Sequence, residues 1–148
     1  MPARCDRPGL SFQYPENWSI EEDDPSPEIE SVTVQSPGSG FLTISRHTRA
    51  ADPNQLADAA VKAVRDEYPT AETHRASQLL AGRDAVGYDV HFDCLDLMGL
   101  AKVRSLRFAG ATYIIFAQAE DREFDAIEPV FMAITISLLN ELTAGAVE

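Results

Sequence analysis

Residues Asp84–Leu95 alternate without a break. Val86, Tyr88, Val90, Phe92 and Cys94 face one way, and Gly87, Asp89, His91 and Asp93 face the other. That is strand periodicity, and so long a strand needs partners along its edges. Thr73–Leu80 precedes it across Ala81-Gly82, and Leu100–Phe108 follows across a turn at Asp96-Leu97-Met98-Gly99. Ala109-Gly110 turns the chain into Thr112–Ala119, whose consecutive Tyr113, Ile114, Ile115 and Phe116 predict a central strand covered on both faces. The second half therefore reads as antiparallel sheet.

The first half reads as four shorter strands, Leu10–Tyr14, Trp18–Glu22, Ile29–Ser36 and Phe41–His47. Pro15-Glu16-Asn17, Asp23–Pro27 and Pro37-Gly38-Ser39-Gly40 break them. Asp52 is a good N-cap, Pro53 fits the first helical position, and Leu56, Ala60, Val61 and Val64 make a helical stripe that Pro69 ends. A final helix runs from Asp121 to about Leu142 on Phe124, Ile127, Phe131, Ile134 and Leu138. Pro129 is expected to kink it or to move its start to near Glu128. Four strands, helix, four strands, helix predicts one α+β domain over 1–148, with 1–8 and 143–148 as flexible tails.

Twenty-four Asp and Glu against twelve Lys and Arg leave the 148-residue chain at −12. That argues against nucleic acid, whose phosphates demand a basic footprint. No unbroken apolar run approaches the ~20 residues of a bilayer crossing, so no membrane span is expected. No apolar segment follows Arg4 and Arg7, so a cytoplasmic setting without a secretory leader is expected. Cys5 and Cys94 are too few for a metal cluster or a disulfide scaffold. Cys94 reads as a small buried hydrophobe and Cys5 as part of the tail, with a single Cys5–Cys94 bridge as the alternative.

Candidate chemistry is sparse. Asp89, His91 and Asp93 share one strand face, but residues two apart lie about 7 Å from each other, too far to converge on zinc unaided. The simpler expectation is a solvated ladder, with Asp93 opposite Lys102, His91 opposite Arg104 and Asp89 diagonal to Arg104. His47 and His74 sit at element ends. Gly38-Ser39-Gly40 precedes a strand rather than a helix, so it is a hairpin turn and not a phosphate cradle. Glu21, Glu22, Asp23 and Asp24 form the densest charge run, a solvated loop or an acidic patch for a basic partner. Trp18 reads as core. No catalytic constellation, metal ligand set or cofactor-binding pattern emerges.

Residues 9–18, Gly-Leu-Ser-Phe-Gln-Tyr-Pro-Glu-Asn-Trp, resemble the opening of the Mog/PsbP-like superfamily, where a strand ends in a Tyr-Pro-x-x-Trp turn. Gly82-Arg83-Asp84-Ala85 resembles its turn into a long strand, and Phe124, Ile127, Pro129, Phe131, Ile134 and Ser137 resemble its closing helix. The resemblance covers residues 9–139. It implies a three-layer α/β/α sandwich, a mostly antiparallel sheet flanked by two helices. It also implies a non-enzymatic role. Members include a Ran-binding nuclear import factor, an extrinsic photosystem II subunit, bacterial chaperones of type VI secretion effectors, and lipoproteins. No partner-binding residue carries over.

Three functions are therefore expected in turn. The first is a non-enzymatic binding or adaptor domain for a protein that is basic or offers an apolar segment. The second is a small-molecule or metal-binding protein or enzyme using Asp89, His91 and Asp93. The third is a homodimer or larger assembly joined through an edge strand such as Leu10–Tyr14.

Overall fold

The computed structural model describes residues 2–22, 28–48, 51–108 and 110–147. In chain order its elements are β1 (Ala3–Cys5), β2 (Phe12–Tyr14), β3 (Ser19–Glu22), β4 (Ile29–Gln35), β5 (Phe41–His47), α1 (Pro53–Glu67), β6 (Glu72–Leu80), β7 (Arg83–Cys94), β8 (Leu97–Phe108), β9 (Ala111–Glu120) and α2 (Asp121–Val147). Seven strands form one antiparallel sheet in the order β3-β4-β5-β9-β8-β7-β6. Two meanders, β3–β5 and β6–β9, meet where β9 returns beside β5, with Ile44 opposite Ile115. The α+β class holds, with one helix on each face.

α1 forms as its sequence dictates. Asp52 accepts the Asn54 amide at 2.9 Å, Pro53 occupies the first turn, and the helix stops at Glu67, short of Pro69. Its Ala57, Val61 and Val64 bury against Val90, Phe92, Ala101 and Val103 of the sheet. Tyr68, just past its end, stacks on Phe92 at 4.5 Å.

On the opposite face, α2 buries Phe124, Phe131, Ile134, Leu138 and Leu139 against Leu42, Ile44, Tyr113 and Ile115. Trp18 joins this core, edge-on to Phe131 at 5.8 Å. α2 is one helix through Pro129, not a restart near Glu128. Pro129 and Asp125, whose carbonyl the proline leaves without its helical donor, are both exposed, so solvent can take that bond's place. By length and composition Asp121–Ala144 passes as a membrane span, which the short apolar runs did not suggest. Here one of its faces is core.

The Pro37–Gly40 turn holds the start of α2. Ser39 donates to Glu123 Oε2 from its hydroxyl (2.7 Å) and its amide (3.1 Å), and those bonds hold the Glu123 carboxyl below its usual range. A Cβ on Gly40 would fall 2.2 Å from Ile127 Cδ1, so glycine permits the close approach.

Three expectations at the N-terminus and the end of the chain need correction. Ala3–Cys5 is not tail but pairs with Phe12–Tyr14, Cys5 opposite Phe12, in a separate ribbon. Leu10–Tyr14 is therefore not an edge of the main sheet, and Gln13 N donates to Ser137 Oγ of α2 at 2.8 Å. The sheet's edges are β3 and β6. Residues 143–147 continue α2 rather than fraying from it.

The β7–β8 turn is also displaced. It lies at Leu95-Asp96, not at Asp96–Gly99, and Gly99 sits within β8 opposite Phe92, whose ring would lie 2.4 Å from an added Cβ. Asp93 thus faces Met98 instead of Lys102, and His91 faces Leu100 instead of Arg104. The slip is four residues, an even number, so every side chain keeps its face. Leu95 adopts φ +57°, a left-handed conformation that a side chain bearing Cβ disfavours.

Leu95→Asn should raise stability by about 1 kcal/mol in chemical denaturation, because asparagine tolerates the left-handed region. Gly87→Ala should lower it by about 1–3 kcal/mol, since its Cβ would meet the Val103 carbonyl oxygen at 1.7 Å.

Candidate functional site

Asp89, His91 and Asp93 do share a face, and it is the face that carries α2. Their strand lies near the sheet's edge, where the helix no longer covers them fully. Asp89 accepts from Arg104 Nη2 at 2.8 Å across the strands, the diagonal pair expected from the sequence. The rest of the ladder is rearranged. Arg104 is only 8% exposed and also donates to Gln78 Oε1 (2.9 Å) and to the Tyr88 and Val103 carbonyls (3.2 and 3.0 Å). Lys102 reaches Glu128 of α2 at 2.5 Å. Lys102 ties the sheet to the helix layer and the buried Arg104 ties β8 to β7 and β6, so they are not a solvated surface ladder. The cavity they border under α2, about 30 Å³, holds roughly one water and no larger ligand.

His91 lies beside His74, their rings 5.9 Å apart and edge-on, and Asp93 is exposed. Asp89 is turned to Arg104, so the three residues do not converge. Among the described residues no group of three His, Cys, Asp or Glu comes together as a metal would require. His47 is half-buried at the end of β5, and burial pushes its imidazole below the ordinary range.

The acidic run is split by strand periodicity. Glu21 and Glu22, both exposed, point to opposite faces of edge strand β3. Glu22 faces the N-terminal segment, 3.9 Å from Arg7 Nη1, and Arg7 also pairs with Glu30 at 3.2 Å. Asp23 and Asp24 lie outside the described residues. Cys5 is free and buried, which excludes the Cys5–Cys94 bridge. Burial, and then the nearby Glu22 carboxylate, push its thiol above the ordinary range.

The surface the sequence reading missed is the outward side of α2. Residues 129–140 of this helix contain no charge, in a chain that is 24% charged. Its inner residues fill the core, yet Pro129 and Ala133 are exposed and Val130, Met132 and Ile136 are only half-buried. Two adjoining hollows, about 390 and about 590 Å³, run along this side beside β2. Pro129, Ala133, Gln13 and Ser137 border both, with Tyr14 and Pro15 at one end and Asn140 and Glu141 at the other. The result is a shallow groove, mostly apolar beside Tyr14 and Pro15 and mixed toward Asn140 and Glu141. The missing charges were visible in the sequence, but a single wide apolar face accounted for them there.

No protein-family model matches the chain, and no curated protein matches it in sequence. Solved structures match it in fold. It is similar to cyanobacterial PsbP (CyanoP) of Synechocystis, with a TM-score of 0.59 and 17% identity over 92% of this chain and 90% of that one. It is also similar to PA94, a Pseudomonas aeruginosa protein of unknown function described as a putative regulator, with a TM-score of 0.51 and 14% identity over 92% and 94%. Mycobacterium tuberculosis LpqN, described as involved in cell envelope biogenesis, matches with a TM-score of 0.49 and 15% identity over 91% and 86%. The fold is the Mog/PsbP-like one.

With Cys94→Ser leaving Cys5 as the sole thiol, an aromatic disulfide reagent at pH 8 should label the native protein about tenfold or more slower than the denatured chain. Equal rates would show that Cys5 is neither buried nor raised.

Proposed function

We propose that this chain is a non-enzymatic, cytoplasmic protein-binding or adaptor domain that takes an apolar segment of a protein partner in the groove between α2 and β2. The observation that carries the reading is the uncharged outer side of residues 129–140 on a strongly acidic protein. Uncharged, half-exposed aliphatic surface is what a protein interface uses at its centre. The scaffold suits the task. Phe131, Ile134 and Leu138 anchor the helix from behind, so its outer residues are held in place before a partner arrives. The Mog/PsbP-like fold is compatible with the reading but does not select it.

The test is recovery of partners from lysate of the source cells at low and at ~0.5 M salt, where ionic contacts are heavily screened. A partner recovered at both salt levels by the wild-type chain, and lost with Ala133→Asp, is the expected result. Ala133 is exposed, so the aspartate should leave the fold intact, as circular dichroism would verify. Equal recovery by both chains, or none by either, would overturn the groove assignment.

A further inference from the structure

The β7–β8 hairpin ends in the most exposed large hydrophobic residue described. Leu95 is 97% exposed, Leu97 52% and Met98 57%. Single exposed aliphatics are commonplace, but here Leu97 and Met98 lie on opposite faces of β8 and Leu95 sits in the turn before them, so both faces of the tip carry an exposed aliphatic side chain. Backbone strain gives independent support. Leu95 holds φ +57° at a turn position where asparagine or glycine would sit without cost. A residue that neither packs in the fold nor suits its own backbone gains nothing for the isolated domain, and such outliers gather at functional positions.

The tip closes an unbroken pair of strands. β7 and β8 pair without interruption from Val86–Ser105 to Cys94–Leu97, and Gly99 seats the Phe92 ring just behind the turn. Beside it lies a hollow of about 340 Å³ lined by Asp96, Leu97, Met98, Glu120, Asp121 and Arg122. With Asp93 opposite Met98, four carboxylates and one guanidinium lie beside the tip. Arg122 is already paired with Glu120 at 2.8 Å.

We propose that the hairpin tip is a docking knob for a second protein, one that presents apolar side chains bordered by lysine and arginine. Leu95, Leu97 and Met98 would fill the apolar part, and Asp93, Asp96 and Asp121 would meet the basic border. The carboxylates decide against a membrane as the target, since anionic lipid repels them and any lipid requires them to approach hydrocarbon. This site is separate from the α2 groove, and either can fail without the other.

The probe is a synthetic amphipathic peptide of leucine and lysine, titrated into the isotopically labelled full chain and followed by NMR. Saturable shifts confined to residues 93–98 and 120–122 are expected. Leu95→Asn combined with Met98→Ser should weaken binding about tenfold or more. Salt at ~0.5 M should weaken it severalfold, and a peptide with serine in place of leucine should not shift the tip. Leu95→Asn alone should be more stable than the parent, so lost binding would not reflect unfolding. Ala133→Asp should leave the titration unchanged. No shift at the tip, or equal affinity in the double variant, would overturn the proposal. So would equivalent shifts with phosphatidylcholine vesicles, which would make the tip a lipid contact.

Discussion

The pairing of β9 with β5 joins the two meanders, and both helix layers depend on it. β9 lies between strands from opposite halves of the chain, with Ile115 opposite Ile44 on one side and opposite Arg104 on the other. Its odd-numbered residues face α2, and Ile114 and Phe116 face α1. Tyr113 extends the reach of this strand. Its buried ring donates from the hydroxyl to the Gly9 carbonyl at 2.7 Å, so the central strand also fixes the N-terminal segment. Without β9 the sheet would fall into two pieces, and neither helix would have a complete surface to cover.

Much of this arrangement was legible in the residues. The consecutive Tyr113–Phe116 block announced a strand buried on both sides, and Asp52-Pro53 announced the first helix. What the sequence obscured were places where local chemistry opposes the final structure. Gly99 is a natural turn residue, but here its missing side chain accommodates Phe92. The real turn uses Leu95, which turn statistics disfavour. Ala3–Cys5 is too short to show periodicity, and it becomes a strand because Phe12–Tyr14 folds back beside it.

The candidate site divides in the same way. The Asp89–Arg104 diagonal survived a four-residue slip because an even shift preserves the face and Arg104 lies midway between Leu106, opposite Asp89 in the expected register, and Lys102, opposite it in the observed one. Its setting did not follow from sequence, because the depth of Arg104 depends on where α2 crosses the sheet. Glu21 and Glu22 look like one patch in the chain and are two in space, since adjacent strand residues point opposite ways. The α2 groove and the hairpin tip were hidden for a different reason. An apolar residue in sequence reads as core until the fold has been assembled and some are left outside it.

The order of the sheet also bears on how the chain is made. Phe41 pairs with Gln118, about half the chain later in synthesis. At translation rates of about 5–20 residues per second, β5 waits roughly 4–15 s for its inner neighbour to emerge. During that interval the β3–β5 meander presents an unpaired edge and the Val32, Val34, Leu42 and Ile44 face without its helix. On its other face the hydroxyls of Ser31 and Ser45 pair at 2.8 Å, and those of Thr33 and Thr43 at 2.9 Å. A nascent sheet whose middle rows on that face are hydroxyls has, besides its open edge, only one broadly apolar face through which it can aggregate.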